Sequence, residues 1–383
     1  MKQGWEIKKL GEVVEIINGK NQSQVISNNG KYPIYGSGGN IMGYAIDYIC
    51  EKGTTIIGRK GNISNPIFIN ERFWNVDTAF GIYPKGHTDP KFINYLCQTI
   101  DFKSRNKGTT IPSLVKSDLQ TIEIPFPKSL PEQQRIVAIL DEAFAAIAKA
   151  KANAEKNLKN AKELFESYLQ GVFENKLHGS KFETLDSLCE LIVDCEHKTA
   201  PTQETGYPSI RTPNIGKGIL ILEGVNRVSE KTYNEWTRRA IPQTNDLILA
   251  REAPAGNIAV IPENVKVCLG QRTVLIRPKK NKIISKFLAH LILSKDVQEQ
   301  LLSHSTGATV EHINMKDIRA FKIYNLSSLT EQQSIVQNLE SLLTETNKLE
   351  AIYQQKINDL QELKKSVLQK AFCGELKTAT ALV

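Results

Sequence analysis

A segment of the chain returns after 199 residues, and no other sequence feature limits the possible folds as strongly. Leu130-Pro131-Glu132-Gln133-Gln134-Arg135-Ile136-Val137 reappears as Leu329-Thr330-Glu331-Gln332-Gln333-Ser334-Ile335-Val336. The same offset carries Gly108 and Thr110 onto Gly307 and Thr309, Asp118 onto Asp317, Leu140 onto Leu339, Leu169 onto Leu368 and Phe173 onto Phe372. A period of this size means two copies of one plan, so a fold assigned without it would be wrong throughout. Upstream the register drifts: Gly58-Arg59 with Gly61-Asn62-Ile63 still resembles Ala250-Arg251 with Gly256-Asn257-Ile258. A copy with one half of fixed length and one half that varies suggests a rigid frame presenting two different heads.

The fixed half reads as helix. Ile136, Leu140, Ala143, Ile147, Ala150, Ala154, Leu158, Ala161, Phe165, Tyr168 and Val172 recur at steps of three and four, the mark of one apolar stripe. The second copy gives Ile335, Leu339, Leu342, Leu349, Tyr353, Ile357, Leu360, Val367 and Ala371, with Thr346 and Lys364 as weak positions. Pro131 suits a first turn, and Thr330 with Gln333 has capping-box spacing. A helix from Pro131 to Phe173 would be about 65 Å long at ~1.5 Å per residue. Alone it would leave its stripe in water, so the equally long second helix is its expected partner. Antiparallel coiled-coil-like pairing would join Ile136, Leu140, Ile147, Ala154 and Leu158 with Leu339, Leu349, Tyr353 and Leu360.

The drifting halves are rich in Gly, Asn and Thr and in short β-type runs such as Thr54-Thr55-Ile56-Ile57 and Val274-Leu275-Ile276. Lys91 to Ile100 and Ser285 to Leu293 look like short amphipathic helices within them. The expected fold class is α+β, with two mixed recognition domains, two long antiparallel helices as a spacer, and an internal pseudo-two-fold repeat. The expected division is 1–128, 129–178, 179–328 and 329–383.

Charge separates along the same lines. The chain carries +8 overall, yet the two helical stretches, Lys128–Leu177 and Leu329–Leu376, carry net +1 and −2. The heads therefore hold the basic surplus, which points to nucleic acid. The start of the chain has no apolar core of signal-peptide type and no window approaches a membrane span, so a cytoplasmic protein without a membrane role is expected. Six scattered cysteines with no Cys-x-x-Cys read as reduced thiols, without a zinc site.

The chain resembles the type I specificity subunits, known as HsdS, over essentially its full length. The resemblance rests on Leu-Pro-Glu-Gln-Gln-x-Ile-Val opening a long helix and on Lys107-Gly108-Thr109-Thr110 and Thr306-Gly307-Ala308-Thr309 ahead of it. The heads add Tyr32-Pro33-Ile34-Tyr35-Gly36-Ser37-Gly38-Gly39 in the first, and Asp194-Cys195-Glu196-His197-Lys198-Thr199 with Ile210-Arg211-Thr212 in the second. Ala308 and Thr330 depart from the pattern. The resemblance implies two target-recognition domains reading a split, asymmetric double-stranded DNA target, and helices that dock two methyltransferase subunits and, through them, restriction subunits. S-adenosylmethionine, Mg²⁺ and ATP are then expected on those partners, and no cofactor on this chain.

Phosphate contacts position such a protein and base-edge contacts specify the sequence. The Gly-Thr loops (Lys107, Thr109, Thr110; Thr306, Thr309) offer hydroxyls and backbone N–H groups to phosphate. Arg59, Lys60, Asn62, Arg251, Asn257 and Arg272 have the chemistry for guanine or adenine edges. The alternative is a methyltransferase or nuclease acting alone. Asn65-Pro66-Ile67-Phe68 is near an adenine-methyltransferase loop but lacks its second proline, and no glycine-rich cofactor loop accompanies it. Asp194 and His197 read as a hydrogen-bonded turn rather than a metal site, since no third ligand stands at motif spacing.

Overall fold

A computed structural model of the chain describes residues 3–174, 179–252, 255–303 and 312–376. It divides into two compact units, Met1–Glu155 with Gln354–Val383, and Lys156–Tyr353. A central helix, Leu130–Phe173, and a distal helix, Leu329–Phe372, each run 44 residues and contribute to both units.

In the first unit a four-stranded antiparallel sheet has the order Val14–Asn18, Ala79–Pro84, Thr54–Gly58, Ile67–Ile69. Thr54–Gly58 is buried at every position, as a run without polar alternation requires of a strand covered on both faces. A smaller sheet orders Ile41–Ala45, Tyr32–Tyr35 and Trp74–Asn75, and Trp5–Lys9 pairs with Glu123–Pro127. The helix Pro90–Thr99 opens with proline in its first turn and is capped by the Asp89 carboxylate, which accepts from the Phe92 N–H at 2.9 Å. Its Phe92 meets Phe126 and Phe372 with ring centroids 5.8 and 5.2 Å apart. Ile136 and Leu140 share this core with Leu368 and Phe372, so the start of the central helix lies with the end of the distal one.

The second unit repeats the topology. Its large sheet orders Cys189–Asp194, Thr273–Pro278, Leu247–Ala250, Ile258–Val260, its small one Arg227–Val228, Tyr207–Ile210, Cys268–Leu269. Phe182–Thr184 pairs with Lys322–Tyr324. The helix Ser285–Leu293 brings Phe287 to 5.3 Å from Phe173. Here Leu169 and Phe173 share a core with Val336 and Leu339, so the end of the central helix lies with the start of the distal one. The two long helices are therefore antiparallel.

The repeated Glu-Gln-Gln acquires a physical reason. The Gln133 side chain accepts from the Asp89 N–H (2.9 Å) and donates to the Pro127 carbonyl (3.2 Å). Gln332 accepts from the Ile284 N–H (2.8 Å) and donates to the Lys282 and Ser327 carbonyls. Both glutamines are buried, and each ties the first turn of a long helix to the start of the short helix beside it. A hydrocarbon there would leave buried backbone groups without partners.

Two expectations need correction. Thr330 and Gln333 form no capping box; the caps are Ser129 and Ser328, whose Oγ atoms accept from the Glu132 and Glu331 N–H groups at 3.3 Å. Leu349, expected in the helix pairing, is 38% exposed, and Thr346 is buried instead. Threonine is tolerated there because its hydroxyl donates to the Leu342 and Leu343 carbonyls and arrives already satisfied. Of the other pairing residues, Ile136, Leu140, Ile147, Ala154 and Leu339 are buried, while Leu158, Tyr353 and Leu360 are half-buried. Ser328→Ala is expected to destabilise the chain by about 1 kcal/mol. Thr330→Ala should have under half that effect, both read from urea denaturation; equal losses would restore the capping box.

Candidate nucleic-acid interface

In the first unit the strand Thr54–Gly58 ends in a turn sewn to a second loop. The Arg59 N–H donates to the Thr78 carbonyl (2.8 Å), the Arg59 carbonyl accepts from Leu114 (2.9 Å), and the Gly61 N–H donates to Pro112 (2.9 Å). Lys60 and Ser113 form a β-bridge. The structure thus brings Lys60 and Asn62 beside the loop of Lys107, Thr109 and Thr110, and all five are exposed. Arg59 is half-buried, with its guanidinium 5.8 Å from the Phe80 ring centre. Lys103 and Arg105 add cations just before the loop, while Lys107 has one loose ion pair, 3.6 Å to Asp118.

Asn106, absent from the sequence-based candidates, closes that loop. Its Oδ1 accepts from the N–H groups of Gly108 and Ser113, both at 2.8 Å, and its Nδ2 donates to the Gly108 carbonyl at 3.0 Å. Gly108 has no room for a side chain: a Cβ would stand 1.9 Å from the Ile111 carbonyl oxygen. Gly58 is equally confined, 1.9 Å from the Asn62 carbonyl oxygen. Ile111 and Val115 remain exposed along the same edge.

The second unit has the same stitching at equivalent positions. The Arg251 N–H donates to Arg272 (2.9 Å), its carbonyl accepts from Ile313 (3.1 Å), and Glu252 bridges to His312. The side chains differ in what they do. Arg251 is only 6% exposed and bonds Asp194 Oδ2 (2.6 Å), the Ile313 carbonyl (2.9 Å) and His312 Nε2 (2.8 Å). It is not available to a base edge, which corrects its assignment as a reader. Asn257 is half-buried and donates to the Ile215 carbonyl at 3.0 Å, again an internal contact.

Arg272 does reach solvent. It is held in the left-handed backbone region (φ +66°), uncommon for a non-glycine residue, and Glu252 steadies it at 2.8 Å. Glu252 also bonds His312 (2.8 Å), so an unbroken chain of polar contacts runs from Asp194 through Arg251, His312 and Glu252 to Arg272. Beside it, Gln271 donates to the His197 carbonyl (3.4 Å), and exposed Arg211 packs at Gly270, where a Cβ would meet its Cγ at 2.5 Å. Neither Arg211 nor Gln271 is among the sequence-based candidates; Gln271 directly precedes Arg272 in the chain, and strand register brings Arg211 to both. Thr306 and Thr309 lie outside the described residues.

Asp194, Cys195 and His197 bring three donor atoms within 4.8 Å of one another. Asp194 Oδ2 is already engaged by Arg251 at 2.6 Å and by His197 Nε2 at 2.9 Å. A guanidinium so close opposes a cation electrostatically, and the arrangement is that of a hydrogen-bonded turn. Asn65-Pro66-Ile67-Phe68 leads into an ordinary strand, with Ile67 opposite Ile56 and Phe68 opposite Thr55.

Comparison with known proteins agrees with this arrangement. The family model described as "Type I restriction modification DNA specificity domain" matches residues 2–158 and again 179–359. The MjaVIII specificity subunit of Methanocaldococcus jannaschii is 23% identical, over 98% of this chain and 93% of its own length. The EcoBI specificity subunit of Escherichia coli is 24% identical, over 84% and 73%. Among solved structures, a chain from work on complex assembly and conformational transition of the type I R-M system has a TM-score of 0.77 at 18% identity, covering 98% of this chain and 99% of that one. The HsdS subunit from Thermoanaerobacter tengcongensis has a TM-score of 0.63, also at 18% identity, with 98% of both chains covered. A duplicated domain matched twice along most of the chain, with the same fold in those structures, means that the protein belongs to the type I restriction modification DNA specificity family and is a specificity subunit of that class.

Proposed function

We propose that the chain reads a bipartite, asymmetric target on double-stranded DNA, one half-site with each head, and that its long helices dock two methyltransferase subunits and through them restriction subunits. The observation that carries this reading is one stitched pair of loops, made twice and dressed differently. Lys60, Asn62, Lys107, Thr109 and Thr110 are presented by the first head, Arg272 with Gln271 and Arg211 by the second. A common frame with different side chains reads two unlike sequences, and the cations and hydroxyls supply phosphate contacts around them. Exposed Ile111 offers an apolar surface suited to a thymine methyl.

On this reading residues 1–128 and 179–328 recognise, and residues 129–178 and 329–383 space the heads and bind partners. S-adenosylmethionine, Mg²⁺ and ATP belong to the partners' chemistry. Among the described residues no helix is long and apolar enough to cross a membrane, and a cytoplasmic site of action accompanies the proposal. The test exchanges residues 1–127 for the head of another specificity subunit and maps methylated adenines in cells carrying the matching methyltransferase. One half-site should change and the other persist. A change in both, or in neither, would refute independent reading.

A further inference from the structure

The two units are internal controls for each other, and at one place they differ in volume. In the first unit Tyr95 of the short helix Pro90–Thr99 packs edge-on against Phe144, centroids 5.4 Å apart, and the Lys364 ammonium stands 4.9 Å over that Phe144 ring. The Tyr95 hydroxyl donates to Asp141 (2.5 Å), which also takes Lys91 (2.6 Å). Burial works against an ionised Asp141, but the bonds from Lys91 and Tyr95 outweigh it and hold its carboxyl below the usual range. The space is filled.

In the second unit the repeat puts His290 where Tyr95 stands, Leu343 for Phe144 and Phe165 for Lys364, while Lys286 and Glu340 keep the ion pair at 2.5 Å. A smaller ring and an aliphatic side chain replace the two aromatics. What remains is a cavity of about 350 Å³ whose apolar wall is Phe165, Leu169, Leu293 and Leu343, with His290 beside them and charged residues such as Lys217 and Glu350 also lining it. A second hollow of about 420 Å³ shares His290 and Leu343 and reaches Lys286 and Glu340. Burial pushes the His290 imidazole below its ordinary pKa, so the chamber is lined by a neutral ring. Glu340 has lost the phenol that its counterpart Asp141 accepts from.

We propose that the second unit binds a small phenolic molecule here, with its ring between Phe165 and Leu343 and its hydroxyl donating to Glu340. The ligand would restore what Tyr95 and Phe144 supply in the first unit. A concave, mostly apolar space with a few convergent polar groups is the usual form of a small-molecule site, and an aromatic ring gains from the edge and face contacts that Phe165 and His290 offer. In the first unit Tyr95 and Phe144 occupy the corresponding place, so one molecule is bound here per chain.

Titration of the full chain with p-cresol, followed by ligand-observed NMR, should reveal one saturable site. Toluene, which lacks the hydroxyl, should bind about tenfold more weakly. Leu343→Phe with His290→Tyr rebuilds the filled arrangement and should abolish binding, and Leu343→Phe alone should weaken it. In the unsubstituted chain with labelled leucine methyls, p-cresol should show contacts to the Leu343 methyls. Failure to saturate, contacts confined elsewhere, or equal binding by the double variant would overturn the site. Equal binding of toluene would overturn the role given to Glu340.

Discussion

Arg251→Met is expected to destabilise the second unit by about 3 kcal/mol, the lower end of what removing one partner of a buried ion pair costs. The lower end applies because the Asp194 side chain keeps 19% exposure and retains His197. The Ile313 carbonyl and His312 lose a donor at the same time, and Glu252 loses the His312 orientation that steadies Arg272. Urea unfolding followed at Trp236, in a chain whose Trp5 and Trp74 are replaced by phenylalanine, isolates this unit. DNA affinity should fall with the stability. Unchanged stability with lost affinity would mean that Arg251 contacts DNA after all.

Gly108→Val should act the other way, leaving the fold intact and disabling reading by the first head. The substituted Cβ would lie 1.9 Å from a backbone carbonyl oxygen, so the turn closed by Asn106 must open. The residues around it are exposed, and little buried surface is at stake. Displacing Thr109, Thr110 and Lys107 removes the phosphate contacts proposed to seat the first head on the duplex, so affinity for the first half-site should drop about tenfold to hundredfold. Competition binding with DNA altered in one half-site at a time measures this. An equal loss at both half-sites would separate Gly108 from head-specific reading.

The frame was open to sequence reading because periodicity and repetition are linear properties. The 199-residue offset, both long helices and both short amphipathic helices follow from spacing alone, and the structure places them within a residue or so. The equivalence of Gly58-Arg59 with Ala250-Arg251 also survives, since both turns make the same backbone bonds. What spacing could not reveal is which way a polar side chain turns. Arg59 and Arg251 occupy one position of the repeat, yet only Arg251 meets an aspartate side chain, that of Asp194 two strands across the sheet, and it is buried for that reason. Asn106 is absent from the candidates, since nothing in the sequence marks which asparagine closes the loop of Lys107, Thr109 and Thr110. Thr346 looked weak in the stripe because hydropathy takes no account of a hydroxyl satisfied by its own helix. Arg211 and Gln271 are 60 residues apart in sequence and become neighbours only through the parallel pairing of Tyr207–Ile210 with Cys268–Leu269.

The division of the chain has a consequence for biosynthesis. The second unit is one continuous stretch, Lys156–Tyr353, whereas the first needs Gln354–Val383 to finish a core begun at Trp5. Contacts between Leu140 and residues near Phe372 form only after all of Lys156–Tyr353 has been made, and such non-local closure is slow. The first unit is therefore begun before the second and completed after it. A chain cut short before Leu368 would lose integrity in the head farthest from the cut, while the stretch next to the cut keeps every residue of its own unit.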